Sequence, residues 1–389
     1  MISRSSVHIS HFTMFLLMSF ILILSPIYVN SIVLGTDEYI LKDSLQEDET
    51  WEILNHEFIG SDTVFYDIKF LNETHGWVVG DVGLSTHEGV VLHTDDSGDS
   101  WFLQLDEVSQ DFVHIEVIDF NNIWVAGIGS LFHTSNGGMT WDESVVIDTQ
   151  SGLSVVQFIN LTHGWTATNH DLYYTQDGGL TWENNTLWEF SDVPRQMHFL
   201  SSFDMWAIGF FGIYHSTDGG FTWIQSHDRG GWSMSFVSEL EAWAVADNML
   251  VHMTDGNTWV DQILPRPISS SGLQYPYFTD VVFKDCNHGW IVGLETPVAY
   301  TPDGGTTWYA QTVQSEVRQR IMTVDFLNQT YGWAAGHNGI IMKTHRGNNM
   351  DIQLIDNGNQ LNMSIFLSIS LISIVAVVLF IIYRKRHNP

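Results

Sequence analysis

The chain has 389 residues, room for one large domain or two ordinary ones, and 13% aromatic content with only 8 prolines describes a packed chain, not a disordered one. All 45 acidic residues lie between Ile32 and Asn362, a span that holds ten of the 14 lysines and arginines, so the middle of the chain carries a net charge of −35. A surface of that sign repels nucleic acid and anionic lipid, which sets phosphate-reading roles aside.

In chain order, residues 1–31 read as a secretory signal. Arg4 precedes the apolar run Phe12 to Leu24, and Val29-Asn30-Ser31 offers small residues for cleavage. An uncleaved N-terminal anchor is the alternative. Residues 32–50 form a lead-in, and a long repetitive stretch follows. Residues 346–362, polar and rich in Asn, read as a linker. Met363 to Tyr383 is 21 residues without a charge, long enough to span about 30 Å of hydrocarbon as a helix. Arg384-Lys385-Arg386 opens the tail 384–389, and the positive-inside rule makes that end cytoplasmic. The expected product is a single-pass membrane protein whose main domain is extracellular, lumenal or periplasmic. The one cysteine, Cys286, cannot form an internal disulfide; it is read as a free, partly buried thiol, with pairing between chains as the alternative.

The repeats decide the fold. A strand, a turn ending in Gly-Trp or a variant, and two further strands lead each time to Thr-x-Asp-Gly-Gly-x-Thr-Trp. Thr175 to Trp182 and Thr301 to Trp308 are complete copies, while Thr94 to Trp101, Thr134 to Trp141 and Ser216 to Trp223 vary slightly. Thr254 to Trp259 is one residue short, and Thr344 to Met350 has decayed. This is the Asp-box. Its acid (Asp96, Asp177, Asp218, Asp255, Asp303) accepts hydrogen bonds from the turn's own backbone, Gly supplies positive φ, and Trp packs between sheets. The period is about 41 residues, which with four short strands per unit matches a propeller blade.

Tryptophan supplies a second count. Seven follow the first turns (Trp77 to Trp333), but only six close the boxes (Trp101 to Trp308), because Met350 stands where the seventh belongs. Trp51, with no strands before it, fills that vacancy if residues 51–58 complete the last blade. The expected fold is an all-β, seven-bladed propeller over 51–345, a closed monomeric ring. Its blade cores fall near 66–105, 115–147, 154–188, 196–226, 232–263, 278–313 and 321–345. An open solenoid is the alternative, and it would leave exposed sheet edges. Trp188 and Trp232 belong to neither series.

The joint occurrence of Phe-x-x-x-x-His-Gly-Trp turns and Asp-boxes, as in Phe158 to Trp165, Phe283 to Trp290 and Thr301 to Trp308, resembles the photosystem II assembly and stability factor family of cyanobacteria and plastids. The resemblance covers about 51–345 and is more specific for fold than for function. It implies a non-catalytic assembly scaffold. The C-terminal apolar segment departs from the lumenal members. Sortilin-type receptors and sialidases share the Asp-box more distantly.

The chemistry of a sialidase needs three converging arginines, a Tyr–Glu pair and an acid Asp. The exported domain has six arginines and no Arg-Ile-Pro-like phrase in its first blade, and no Glu neighbours Tyr275 or Tyr277. No catalytic residue is assigned. Histidines recur at blade period (His75, His163, His288; His93, His133, His215, His252), so they are spread around the ring and cannot share one ion; no Asp-x-Asp-x-Asp-Gly loop occurs. Neither metal nor cofactor is expected. Sequons at Asn72, Asn160, Asn184 and Asn328 are candidate glycosylation sites, although three of them occupy one turn position that suits Asn for its own sake; Asn362 lies too near the membrane.

One pattern outlasts these structural readings. The loops between blades open on the face opposite the Asp-boxes, and five of the six arginines fall in them: Arg195, Arg229, Arg266, Arg318 and Arg320. Arg195, Arg229 and Arg320 are expected to point toward the mouth of the central channel. Two readings stand: neutralisation of acids such as Asp192, Asp228 and Glu316, or a docking face for another exported or membrane protein. A cell-surface receptor or carbohydrate-binding module is the second functional class, and a glycosidase the third.

Overall fold

The computed structural model describes residues 50–56, 62–83, 88–108, 111–127, 130–144, 152–168, 171–185, 192–246, 249–262, 277–294, 298–313, 320–350 and 352–354. All lie in the second of the two units into which the chain divides, Met1–Asp48 and Glu49–Pro389. The signal segment 1–31, the apolar segment 363–383 and the tail 384–389 fall outside the described residues. Among the described residues, no helix is long and apolar enough to cross a membrane.

Burial changes across each repeat in the order that a radial blade demands. The first strands alternate: Leu153–Phe158 and Ile321–Phe326 both bury four positions and leave two half-buried. The second strands are buried on both faces, as in Ile123–Gly127, Ala242–Ala246 and Gly332–Gly336, because each sheet has a neighbour on either side. The fourth strands, Asp142–Ser144 and Ile224–His227 among them, turn mostly to solvent. Seven antiparallel sheets result. Their first strands touch in a closed cycle, from Thr63–Phe70 through Phe112–Val117, Leu153–Phe158, Gln196–Phe199, Gly231–Phe236, Tyr277–Phe283 and Ile321–Phe326 back to the start. The described residues form an all-β, seven-bladed propeller.

The two tryptophan series do different work between blades. Trp333, Trp243 and Trp290 lie flat on Phe70, Phe283 and Phe326 of the next blade, with centroids 3.6, 3.7 and 3.8 Å apart. The residue before each of these first-turn tryptophans is small for a reason. A Cβ on Gly289 or Gly332 would stand 2.4 Å from the ring of Phe283 or Phe326. The box tryptophans meet phenylalanines at this position edge-on: Trp101 against Phe70, Trp182 against Phe158 and Trp308 against Phe283. Such offset and edge-to-face pairs add to the burial of large apolar rings.

The boxes themselves are self-contained turns. In the third blade, Asp177 accepts the Thr181 amide at 2.9 Å and the Thr181 and Thr175 hydroxyls at 2.6 and 2.8 Å, and Thr175 Oγ1 accepts the Gly179 amide. The short box of the fifth blade works differently: Asp255 takes the amides of Asn257 and Thr258 instead.

The seventh blade is Ile321–Phe326, Gly332–Gly336 and Ile341–Thr344, and its fourth strand is Glu52–Ile53 from the other end of the domain. Glu52 pairs with Lys343 and Ile53 with Met342. Trp51 is fully buried, donates Nε1–H to Gln311 Oε1 at 2.8 Å and meets Phe326 edge-on at 5.7 Å, the relation the other box tryptophans have to their phenylalanines. Thr50 and Trp51 thus stand where the decayed seventh box lacks its Thr-Trp, with the Thr344 hydroxyl donating to the Thr50 carbonyl.

Two expectations need correction. The span 346–362 is not wholly a linker: Ile352–Leu354 adds a fifth, outermost strand to the sixth blade, Leu354 opposite Trp308. Cys286 is exposed, not partly buried, because it sits at the tip of the first turn of that blade.

Candidate partner-binding site at the channel mouth

Below the mouth, the channel wall is made of polar side chains that clamp one blade to the next. Asp67 accepts the Ile115 amide of the second blade at 3.1 Å, Glu116 the Phe158 amide of the third at 3.3 Å, and Gln196 the Met234 amide of the fifth at 2.5 Å. Asp280 accepts the Val324 amide and Asp325 the Phe70 amide, both at 2.8 Å, which carries the clamp across the closure. Lys69 rises among them. Burial alone would lower its pKa, but Asp67, Asp325, Asp280 and Glu116, from four blades, raise it and hold the ammonium charged. Burial in turn lifts Glu116 to about 7 and Asp280 to about 6, with Lys69 opposing both shifts. His198 is driven down to about 4 by burial and by Lys69, so it is neutral at pH 7.

At the mouth, opposite the Asp-boxes, the inner strands share an irregularity. The register slips at Tyr66, Trp232 and Met322, among other blades, and in the fourth blade Arg195 and Gln196 both face Ile208. Bulges re-aim side chains. Arg195 and Trp232 hold equivalent positions in adjacent blades, and here they meet. The Arg195 guanidinium carbon lies 3.2 Å from the Trp232 ring centroid and 3.5 Å from that of Phe210. Arg320, from the seventh blade, reaches the same indole at 5.6 Å.

Asp192 builds the support for this group. Its buried carboxylate accepts the amides of Phe210 and Phe211 at 2.7 and 2.8 Å and the Tyr214 hydroxyl at 2.8 Å, fixing the loop that carries Phe210. That leaves Arg195 with no hydrogen-bonded or ion-paired carboxylate among the described residues. Burial lowers its pKa to about 10; Asp192 opposes the shift and Arg320 adds to it, so the side chain stays cationic at neutral pH. Burial likewise lowers Arg320, whose Nε is enclosed without an acceptor among the described residues. Tyr66, pushed up to about 12 by burial, Asp81 and Asp111, is a neutral phenol there, and burial with Arg320 lowers His337.

Of the arginines expected at the mouth, the structure brings Arg195 and Arg320 together and leaves Arg229 apart. Arg229 lies exposed on the rim with Nε 3.4 Å from Asp261 of its own blade's outer strand. Arg266 and Arg318, with Tyr275, lie outside the described residues. Of the acids named for the neutralisation reading, Asp192 acts on Arg195 through its charge, Asp228 lies by His227 at 3.9 Å, and Glu316 is outside the described residues. Sequence reasoning missed Phe210 and Trp232. The second had left a signal, being one of two tryptophans outside the repeat series.

The remaining candidates are parts of the repeat. Asn72, Asn160 and Asn328 each accept the amides two and three residues on, and Asp119, Ser201, Ser238 and Asp285 do so at the equivalent turns of the other blades. Asn184 lies in an outer strand. His93, His133, His215 and His252 stack on Trp77, Trp124, Trp206 and Trp243 of their own blades, at 3.9 to 4.7 Å. Among the described residues no group of side chains is arranged to hold a metal ion.

Fold and mouth together define an Asp-box propeller with a cationic, aromatic-lined channel opening. The family described as photosynthesis system II assembly factor YCF48 matches residues 44–150 and 272–361, and the chain belongs to it. The matched spans include Tyr66, Arg320 and His337; Arg195, Phe210 and Trp232 lie between them. The photosystem II assembly lipoprotein Ycf48 of Synechococcus sp. is 36% identical over 70 residues, 18% of this chain and 21% of that protein. Its namesake from Synechocystis sp. is 29% identical over 85 residues, 22% of this chain and 23% of that one. The chain thus spans about a fifth of the length of the curated relatives it matches. In three dimensions, a structure of YCF48 bound to D1 peptide aligns with a TM-score of 0.61 at 19% identity, over 76% of this chain and 96% of that one.

Proposed function

We propose that this chain is a non-catalytic scaffold that captures a carboxylate-bearing segment of another exported or membrane protein at the channel mouth and assists its assembly. The observation that carries the reading is the pair of guanidinium groups on Trp232, of which Arg195 has both ring faces as supports and no bonded acceptor among the described residues. Stacking an arginine on aromatics leaves its edge N–H groups free, and a planar fork of donors suits a carboxylate. Membership of an assembly-factor family supports the same reading, as does the peptide held by one structural relative. Among the described residues three arginines do not converge as a sialidase requires, since Arg229 is engaged with Asp261 apart from Arg195 and Arg320. We further infer that residues 363–383 anchor the chain as a single span with the propeller outside, which raises its effective concentration beside membrane partners.

Crosslinked capture from native membranes tests the docking reading. Arg195→Glu with Arg320→Glu should abolish capture while the near-ultraviolet circular dichroism of the tryptophans stays native. Arg229→Glu should leave capture unchanged. Equal capture by the double variant and the wild type would remove the mouth as the site.

A further inference from the structure

The opposite face of the ring has its own chemistry. In the second to fourth blades, the residue at the tip of each Asp-box and one in the adjoining first turn are large and apolar: Met139 with Phe120, Leu180 with Leu161, Phe221 with Phe203. Leu180 is 85% exposed, Met139 80% and Phe203 67%, against the usual burial of such residues. The box acids beside them are occupied internally, Asp177 and Asp218 each accepting two hydroxyls and an amide of their own turn. An arc of exposed apolar pairs on three successive blades therefore stands out on a domain of net charge −35, and exposed apolar patches mark interaction surfaces.

The course of the chain says what covers it. Past Leu354, the last strand runs in the direction that leads from Trp308 back into the box of the sixth blade, so the chain leaves toward this same face. Thr50, at the other end of the domain, also enters beside a box, that of the seventh blade. Only eight residues, 355–362, separate Leu354 from the uncharged run that begins at Met363. Eight residues reach at most about 28 Å when fully extended, which keeps the sixth blade close to that run. The tether is at the sixth blade and the arc lies across the ring from it.

We infer that the Asp-box face rests on the surface of a zwitterionic lipid bilayer, with the tether holding one side and the apolar arc of the second to fourth blades contacting the headgroup boundary on the other. The inference rests on the reading of 363–383 as a membrane anchor. Zwitterionic lipid is specified because the acidic domain repels anionic headgroups. The arginine mouth then faces away from the membrane.

The test uses the full chain, with Cys286→Ser, reconstituted into phosphatidylcholine vesicles. A fluorophore is attached at Leu180→Cys, or at Phe211→Cys on the mouth face as control, and quenching by a shallow spin-labelled lipid is measured. Side chains seated in the headgroup boundary lie about 5–10 Å deep, so quenching at position 180 should exceed that at 211 by about threefold or more. Changing Met139, Phe221 and Phe203 to Asp should remove the difference. Asp is tolerated at a box tip, since Asp99 holds that place in the first blade. Equal quenching at both positions in a chain that floats with the vesicles and resists alkaline extraction would overturn the face assignment and leave the anchor standing. A chain that does not float would sink both. Shielding of position 180 that appears in detergent and grows with protein concentration would assign the arc to a second copy, and would overturn the lipid assignment.

Discussion

Trp51→Ala removes the side chain that completes the seventh box. The indole is fully buried among Trp290, Val298, Tyr300 and Phe326, and its N–H is bonded to Gln311 Oε1. Truncating a buried Trp costs about 3–5 kcal/mol. The lower half of that range applies if Gln311 keeps its hold, because its Nε2 already donates to the carbonyls of Gly347 and Asn349. With an unfolding entropy near 2.1 cal/mol/K per residue, a propeller of roughly 300 residues loses about 5–8 °C of Tm. Differential scanning calorimetry of the full chain provides the measurement, with Leu180→Ala, at an exposed tip, as the control expected to lie within about 0.5 kcal/mol of wild type. A Trp51→Ala protein that melts with the control would refute the view that the N-terminal strand closes the ring.

Glu116 gives a pH dependence whose sign follows from burial. Its carboxyl titrates in the folded state near 7, above the ordinary value, so its contribution is full in acid and is lost as pH rises from about 4.5 to 7. His198, held near 4 by burial, works the other way below about pH 6.5. The readout is therefore the Tm of the wild type relative to Glu116→Gln, which keeps an acceptor for the Phe158 amide. That difference should fall between pH 5 and pH 8, and a constant difference would refute the shift. Asn160 tests the turn against the sequon. Asn160→Asp preserves the acceptor, as Asp119 does in the second blade, and should leave Tm unchanged, whereas Asn160→Ala should cost about 1 kcal/mol. A loss of mass in the Asp variant produced in its native host would show that the position carries a glycan.

The fold was legible in the sequence because a propeller repeats its reasons. Each box declares a turn, each Gly-Trp an inter-blade contact, and the absence of a tryptophan at Met350 points to Trp51 at the other end. The fifth strand on the sixth blade was not legible, since Ile352–Leu354 is three residues in a polar stretch, and its pairing depends on an outer edge left open by the ring. The mouth was legible only in part. Loop position placed Arg195, Arg229 and Arg320 on one face, but the ring on which Arg195 and Arg320 gather belongs to Trp232, which sits at a bulge in its strand. A bulge leaves no mark in a period-two pattern. Repeat arithmetic had isolated Trp232 without giving it a role, and that role appeared only when the fourth and fifth blades stood side by side.

The closure also sets the order in which the domain can be finished. Glu52 and Ile53 are among the first residues of the domain to be made, yet their partners, Met342 and Lys343, come about 290 residues later, which at 5–20 residues per second is roughly 15–60 s. Until then the seventh blade has no outer strand and Trp51 no pocket. Folding can proceed blade by blade behind this point, but the ring stays open for nearly the whole of synthesis. A waiting segment of only two paired residues presents little edge for another chain to join, and the brevity of Glu52–Ile53 is in that sense a safeguard during the interval.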